Sequence, residues 1–463
     1  MFSEQDIEQF KGKLKGKFIS SKNAEYEDAR KVWNGMIDKH PMYVIQCANE
    51  EDVVNSVNFA RNNNLEIAVR GGGHNVAGFS TCDGGIVIDL SPMKKIEVDK
   101  ASGTAVAQAG LTWGEFDKVS QEHGLATTGG LVTTTGVAGF TLGGGFGWLV
   151  RKYGMTIDNL LSVEMVLANG ERISANANEN PDLYWGVRGG GGNFGIVTSF
   201  TFKLHPVGPN VYGGALFYPV SKAKDILSFY NKFSQSLPDE LSTMTAFITA
   251  PPEPFVPKEM VGTPMLVVAL CYSGDVNEGD KVLKPLREFM PPTIDVAGPI
   301  PYAALQGMFD AGAPKGMHSY WRTQYLDELS DEVVDMLIRN SSDINKLSPF
   351  SAVHIHHWEG AVKKVKPEET AFSYRDARFV INIIGMWMPG NNPDNNINWV
   401  RNLSDSVKQF STGNLYLNFI ADTGEDKVVA AYGKEKYDKL VQLKNKYDPK
   451  NLFHLNQNIK PSV

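Results

Sequence analysis

Three glycine clusters punctuate the first two hundred residues: RGGGHNVAG (70–78), GVAGFTLGGGFG (136–147) and GVRGGGGNFG (186–195). Glycine loses more backbone freedom on folding than any other residue, so such runs are costly to order. They persist where a chain turns tightly or where something bulky lies against bare main chain. Successive N–H groups without side chains form concavities suited to a pyrophosphate. One cluster reads as a set of turns; three together read as the cradle of a large polyanionic cofactor. Gly190, Gly192 and Gly195 satisfy the letters GxGxxG. A nicotinamide-type site needs a strand before these glycines and a helix after them, whereas a strand pattern, IVTSFTFKL (196–204), follows here.

The segments around the clusters read as mixed α and β. MYVIQCA (42–48), EIAV and GIVIDL (85–90) are strand patterns, and Val53, Val54, Val57 and Ala60 recur at helical spacing. TWGE (112–115) fits a capping box, and Asn169-Gly170 fits the turn of a hairpin over 162–174. Beyond HPVGPN (205–210) longer helical patterns alternate with strands such as MLVVALCYSG (265–274) and FSAVHIHHW (350–358). A boundary near residue 208 follows, with a tail helix carrying Tyr437, Leu440, Val441 and Lys444 on one face up to Asp448-Pro449. The predicted organisation is 1–208, 209–421 and a C-terminal segment 422–463 that returns to the first part.

A net charge of −7 argues against nucleic acid or an anionic membrane as the main partner. Cys47, Cys82 and Cys271 are too few and too scattered for a disulfide framework or a zinc site. The opening MFSEQDIEQFKGKLKGKF is charged and amphipathic, unlike a secretory signal, so a reducing, cytoplasmic setting is expected. HIHH (354–357) resembles a metal cluster, yet on a strand His354 and His356 share a face while His357 points away. An active-site wall or satisfied core groups stand ahead of zinc there, and no metal is expected.

The stretches AVRGGGHNVAGFSTCDGGIVIDL, TTTGVAGFTLGGGFGWLVRKYGMTIDN and DLYWGVRGGGGNFGIVT resemble the FAD-binding domain of the FAD-linked oxidoreductases. These are the vanillyl-alcohol-oxidase, or p-cresol-methylhydroxylase (PCMH), type. The tail YDKLVQLKNKYDPKNLFHLNQNI resembles the segment of the berberine-bridge enzymes. The resemblance implies an α+β fold: a two-part PCMH-type FAD-binding domain, then a substrate domain with an antiparallel sheet flanked by helices. It implies a covalent bond from His74 to the flavin 8α-methyl, with Val132 standing where relatives carry a second, cysteinyl link. Thr135 takes the position associated with oxygen access. Residues implied to line FAD are Arg70, Gly71, Gly72, Gly73, Asn75 and Gly78 from the first cluster. Thr134, Gly136, Gly139, Gly143, Gly144 and Gly147 come from the second, followed by Asp158 and Asn159. Gly192, Gly195, Ile196 and Val197 come from the third, and Asn456 and Asn458 from the tail.

The implied activity is hydride transfer from an alcohol, sugar or amine carbon to flavin, which O2 or another acceptor reoxidises. In the Y-x-N motif YLNF (416–419), Tyr416 becomes the candidate base with Asn418 beside it. On a strand the two would share a face. A phenol titrates near 10, so a cation such as Arg322 or Arg375 is expected beside it. Tyr325, His354, His356 and Trp387 are further candidates for contact with the substrate. The chain is expected as a monomer or small homo-oligomer, and the competing reading is a flavin-bearing binding protein without catalysis.

Overall fold

The computed structural model describes residues 3–422 and 424–462. Apolar runs next to glycine turns form buried strands: Tyr43–Gln46, Ile86–Asp89 and Ile67–Arg70 lie parallel, with Lys17–Ser20 antiparallel at one edge. Helix Glu50–Asn62 starts at Asn49, whose side chain accepts from the Asp52 N–H, and buries Val53, Val57 and Ala60. A second, antiparallel sheet runs in the order Ile96–Asp99, Thr104–Gln108, Ile196–Lys203, Leu160–Val166, Arg172–Asn176. Its last two strands form the predicted hairpin, with Gly170 at φ +83° in the turn. Thr112 opens helix Trp113–Gln121, its N–H donating to Glu115 Oε2 at 2.9 Å as TWGE predicts.

A third sheet, antiparallel, takes its strands from residues 210–387. Asn210–Pro219, Pro264–Tyr272, Leu241–Thr249, Ala352–His357, Phe379–Trp387 and His318–Leu326 are successive neighbours. Its two faces have different partners because side chains alternate along a strand. Leu216, Phe247, Val268, Ile355, Ile381 and Ile383 pack under helices Ala223–Phe233, Asp331–Ser341 and Pro393–Val407. Each such side chain taken from water contributes roughly 1.5–3 kcal/mol, so this face fixes the register. The alternate positions Ala215, Phe217, Met244 and Ala246 look instead towards the glycine clusters. The architecture is the α+β arrangement expected from the sequence.

Helices Glu425–Tyr432 and Lys434–Tyr447 place Val428, Tyr437, Leu440 and Leu443 in the same core as the first two sheets. The expected strand at YLNF is not formed: Leu417–Phe419 is a single 3₁₀ turn. Around it the chain's main-chain bonds to the edge strand are the Thr412 N–H to Tyr325 O and the Ala421 N–H to Trp321 O. Burial of the Tyr416 ring, rather than a ladder, sets its conformation. Among the described residues no helix is long and apolar enough to cross a membrane.

Candidate active site

One cavity of about 1260 Å³ runs from the glycine clusters to the free face of the third sheet. Its cradle end is main chain. Gly71, Gly73, Gly139, Gly143, Gly192 and Gly195 all line it. At Gly139 and Gly192 a Cβ would meet nothing within 4 Å, so both positions open onto the cavity. Gly72 also lines it, but its need for glycine comes from the chain itself: a Cβ there would lie 2.4 Å from Gly136 N. Asn75, Thr135, Gly136, Ile196 and Val197 complete the predicted residues at this end. From the tail, Asn456 and Gln457 line the cavity, and Asn456 Oδ1, Gln457 Nε2 and Asn458 Oδ1 are buried without partners. Lysine and arginine are absent from the described lining, so an anion here is met by main-chain N–H groups and amides.

His74 stands where cradle and sheet meet. Its Nε2 is 2.9 Å from Thr134 Oγ1, and its ring stacks on Trp33 at 5.1 Å with 20° between planes. Burial, with Lys315 adding repulsion, pushes its pKa down to about 4, so the ring is neutral. None of Cys47, Cys82 and Cys271, all buried, lines the cavity, and Val132 does.

The sheet end is read off strand register. Met244 and His356 are cross-strand partners, as are Ala246 and His354, and His354 and Asn382. Thr323 lies opposite Asn382 and Trp321 opposite Ile384 on the next strand. His354, His356, Asn382, Ile384 and Trp321 all line the cavity. His357 points to the other face, with Arg151 at 3.2 Å and Glu359 at 2.8 Å. His354 and His356 are 5.8 Å apart between ring centres, and burial holds His354 at about 4 and His356 well below its ordinary value. Four polar atoms of sheet residues on this wall are buried without a partner: His356 Nε2, Asn382 Oδ1, Trp321 Nε1 and, at a strand end, Thr249 Oγ1. Among the described residues no cluster of three potential ligands forms a metal site.

Several predicted residues sit elsewhere. Arg70 is turned into a buried ion pair with Asp89 at 2.7 Å, which ties two parallel strands together at their ends. Asp158 accepts both Arg375 nitrogens at 2.7 and 2.8 Å, and Asn159 donates to Tyr153 O and Met155 O. These two hold a turn rather than line the cavity. Gly78, Gly144 and Gly147 are glycine because Ile37, Phe372 and the Gly129 carbonyl crowd them. Tyr416 is 1% exposed, enclosed by Phe146, Phe372 and Phe419, and absent from the cavity wall. Its hydroxyl accepts from the Gly145 N–H at 3.1 Å and Asn418 Nδ2 at 3.0 Å, and burial raises its pKa. Neither expected cation is beside it: Arg375 is bound to Asp158, and Arg322 to Asp422 and Asp405. Tyr325 and Trp387 are fully buried core. Asn418 does reach the cavity, with Leu417 and Phe419 on either side, and is held by donation to Phe140 O at 3.1 Å.

Trp33 and Asn382 were missed by the sequence reading. Asn382 left a signal, a lone amide within the apolar run FVINIIGMW; Trp33 left none.

A main-chain cradle opening under a strand face that carries neutral imidazoles is consistent with the flavoprotein oxidoreductase class that the sequence resembles. The comparisons agree. Residues 41–176 match the FAD binding domain family and residues 415–460 the berberine and berberine-like family. A FAD-linked oxidoreductase of Dictyostelium discoideum is 34% identical over 99% of this chain and 97% of its own length. The crystal structure of 6-hydroxy-D-nicotine oxidase from Arthrobacter nicotinovorans superposes with a TM-score of 0.87 at 26% identity, covering 97% of this chain and 98% of that one. Berberine-bridge-enzyme-like protein 1 of Physcomitrella patens gives 0.87 at 25% identity, covering 99% of each chain. The chain belongs to the FAD-linked oxidoreductases, in their berberine-bridge-enzyme-like branch, and FAD is its cofactor.

Proposed function

We propose that the protein oxidises a C–OH or C–NH group of a small uncharged organic molecule, with O2 or another acceptor regenerating the enzyme. Bound FAD supplies the two-electron acceptor. The observation that carries this reading is the continuity of one cavity from His74 and the glycine cradle to His354, His356 and Asn382. The orphaned amides of the tail and the open positions at Gly139 and Gly192 fit such a cofactor.

His74 is the point of attachment. With its Nε2 proton donated to Thr134 Oγ1, the ring leaves a lone pair on Nδ1 for bonding. Closing that N–C bond releases two protons and two electrons overall, which the external acceptor takes. The link is single, because Val132 offers no thiol.

Loss of a hydride from carbon requires the neighbouring oxygen or nitrogen to lose a proton. Tyr416 lacks access, so the base is assigned to His356, whose Nε2 is buried, unpartnered and on the cavity wall beside Phe146 and Phe419. Burial keeps it neutral with a free lone pair. Asn418 and the aromatic walls position the substrate and keep water out.

The test is anaerobic mixing with aromatic alcohols and heterocyclic amines, following the yellow flavin absorbance. Bleaching is expected. A protein that holds flavin and never bleaches with any of them is a binding protein. Acid precipitation reads the link: colour stays with wild-type protein and leaves with His74→Ala. Wild-type protein that releases all of its flavin into acid overturns the attachment.

A further inference from the structure

Unpartnered polar atoms on an apolar wall ask for a ligand, because buried polar groups in native proteins are almost always paired. One, His356 Nε2, is absorbed by the reaction above. Of the rest, Thr249 Oγ1 sits at a strand end, while Asn382 Oδ1 and Trp321 Nε1 stand on neighbouring strands. The latter two share a face: Trp321 pairs with Ile384, two residues along from Asn382. One is an acceptor and the other a donor. A hydroxyl group, which both donates and accepts, satisfies the two at once; a methyl group satisfies neither.

The surroundings narrow the choice further. Phe217, Met244, Ile248, Phe309 and Met386 share the wall, and Glu253 is the only charged side chain among the described lining residues. Asn382 is 2% exposed and lies diagonally across the strand pair from His356, whose direct partner is Val380. Diagonal neighbours stand roughly 7–8 Å apart. A six-membered ring with substituents at opposite ends spans that separation.

We propose that Asn382 and Trp321 form a hydroxyl-reading subsite distinct from the reacting position at His356. The substrate is then an uncharged, largely apolar ring compound carrying a hydroxyl opposite its reacting group. This rests on the oxidoreductase reading for the role of His356, but the subsite is tested by binding alone.

Two probes of equal shape differ only at the group in question: 1,4-benzenedimethanol and 4-ethylbenzyl alcohol. Isothermal titration calorimetry on flavin-loaded protein under anaerobic conditions reads each affinity. Wild-type protein is expected to favour the diol by roughly tenfold or more, since a site built for a hydroxyl rejects the analogue lacking it. In Asn382→Leu the preference should shrink to within about twofold, with the ethyl probe bound at least as well as by wild type. Should that variant fail to fold, Asn382→Ala reads the same ratio, and Trp321→Phe removes the donor alone. Equal affinities in wild type, a preference unchanged by the substitutions, or no binding of either probe would each overturn the subsite. Flavin content and bleaching by dithionite are measured separately, so a colourless protein marks failure of the oxidoreductase reading instead.

Discussion

Replacing Lys444 with methionine tests how the tail is held over the cradle. Lys444 is fully buried, and its three donors are all used: Asp448 Oδ2 at 2.8 Å, Asn193 O at 2.8 Å and Phe453 O at 2.9 Å. Asp448 in turn accepts the N–H groups of Leu452 and Phe453 at 2.8 Å. Asn193 binds the same tail, donating to Gln457 O and accepting from the Ile459 N–H. Methionine keeps the stem and removes the ammonium, leaving a buried carboxylate with two N–H donors. Breaking a buried pair from one side costs about 3–5 kcal/mol, and the remaining donors place this case at the lower end. The loss is local to the segment carrying Asn456 and Gln457, so flavin fluorescence should rise well before tryptophan emission reports global unfolding. Adding Asp448→Asn, which keeps an acceptor without the charge, should recover part of the midpoint. A Lys444→Met protein with an unchanged thermal midpoint and unchanged flavin fluorescence would refute the reasoning.

The buried histidines make the protein acid-labile. His354 and His357 sit at about 4 when folded against an ordinary 6.5, so between those values the unfolded chain binds more protons. Stability therefore falls as pH drops through that window, by about 2 kcal/mol per group between pH 7 and pH 5, measurable as a falling urea midpoint. Gly72→Ala forces a Cβ to within 2.4 Å of Gly136 N and should cost about 1–3 kcal/mol in the same assay. Gly139→Ala meets no protein atom, so it should fold normally yet take up less FAD, read from the visible absorbance of purified protein. His356→Phe should keep the bound flavin and slow its anaerobic reduction by ~10²–10⁴-fold, whereas Tyr416→Phe should leave the rate within a few-fold of wild type.

Local chemistry was legible in the sequence and long-range pairing was not. The capping box at Thr112, the hairpin at Gly170 and the opposed faces of His354 and His357 depend on neighbours a few residues away, and each appears as expected. YLNF carries the alternation of a strand, but a strand needs a partner edge, and none pairs with it. Arg375 and Asp158 are separated by 217 positions, and nothing in either segment announces the other. Arg70 looked like part of a ligand loop for the same reason: its partner Asp89 is brought alongside only by parallel pairing. The lysine on the apolar face of the tail helix was visible, though not its purpose.

The third sheet divides its labour by parity. Positions 353, 355, 381 and 383 answer to the helices behind it, while 354, 356, 382 and 384 answer to whatever enters from the front. The glycine end of the cavity meanwhile offers mostly backbone, whose hydrogen-bonding groups are the same whatever side chains change elsewhere. New substrates are thus within reach of a handful of even-numbered substitutions on these two strands, while the odd-numbered set keeps the sheet on its helices.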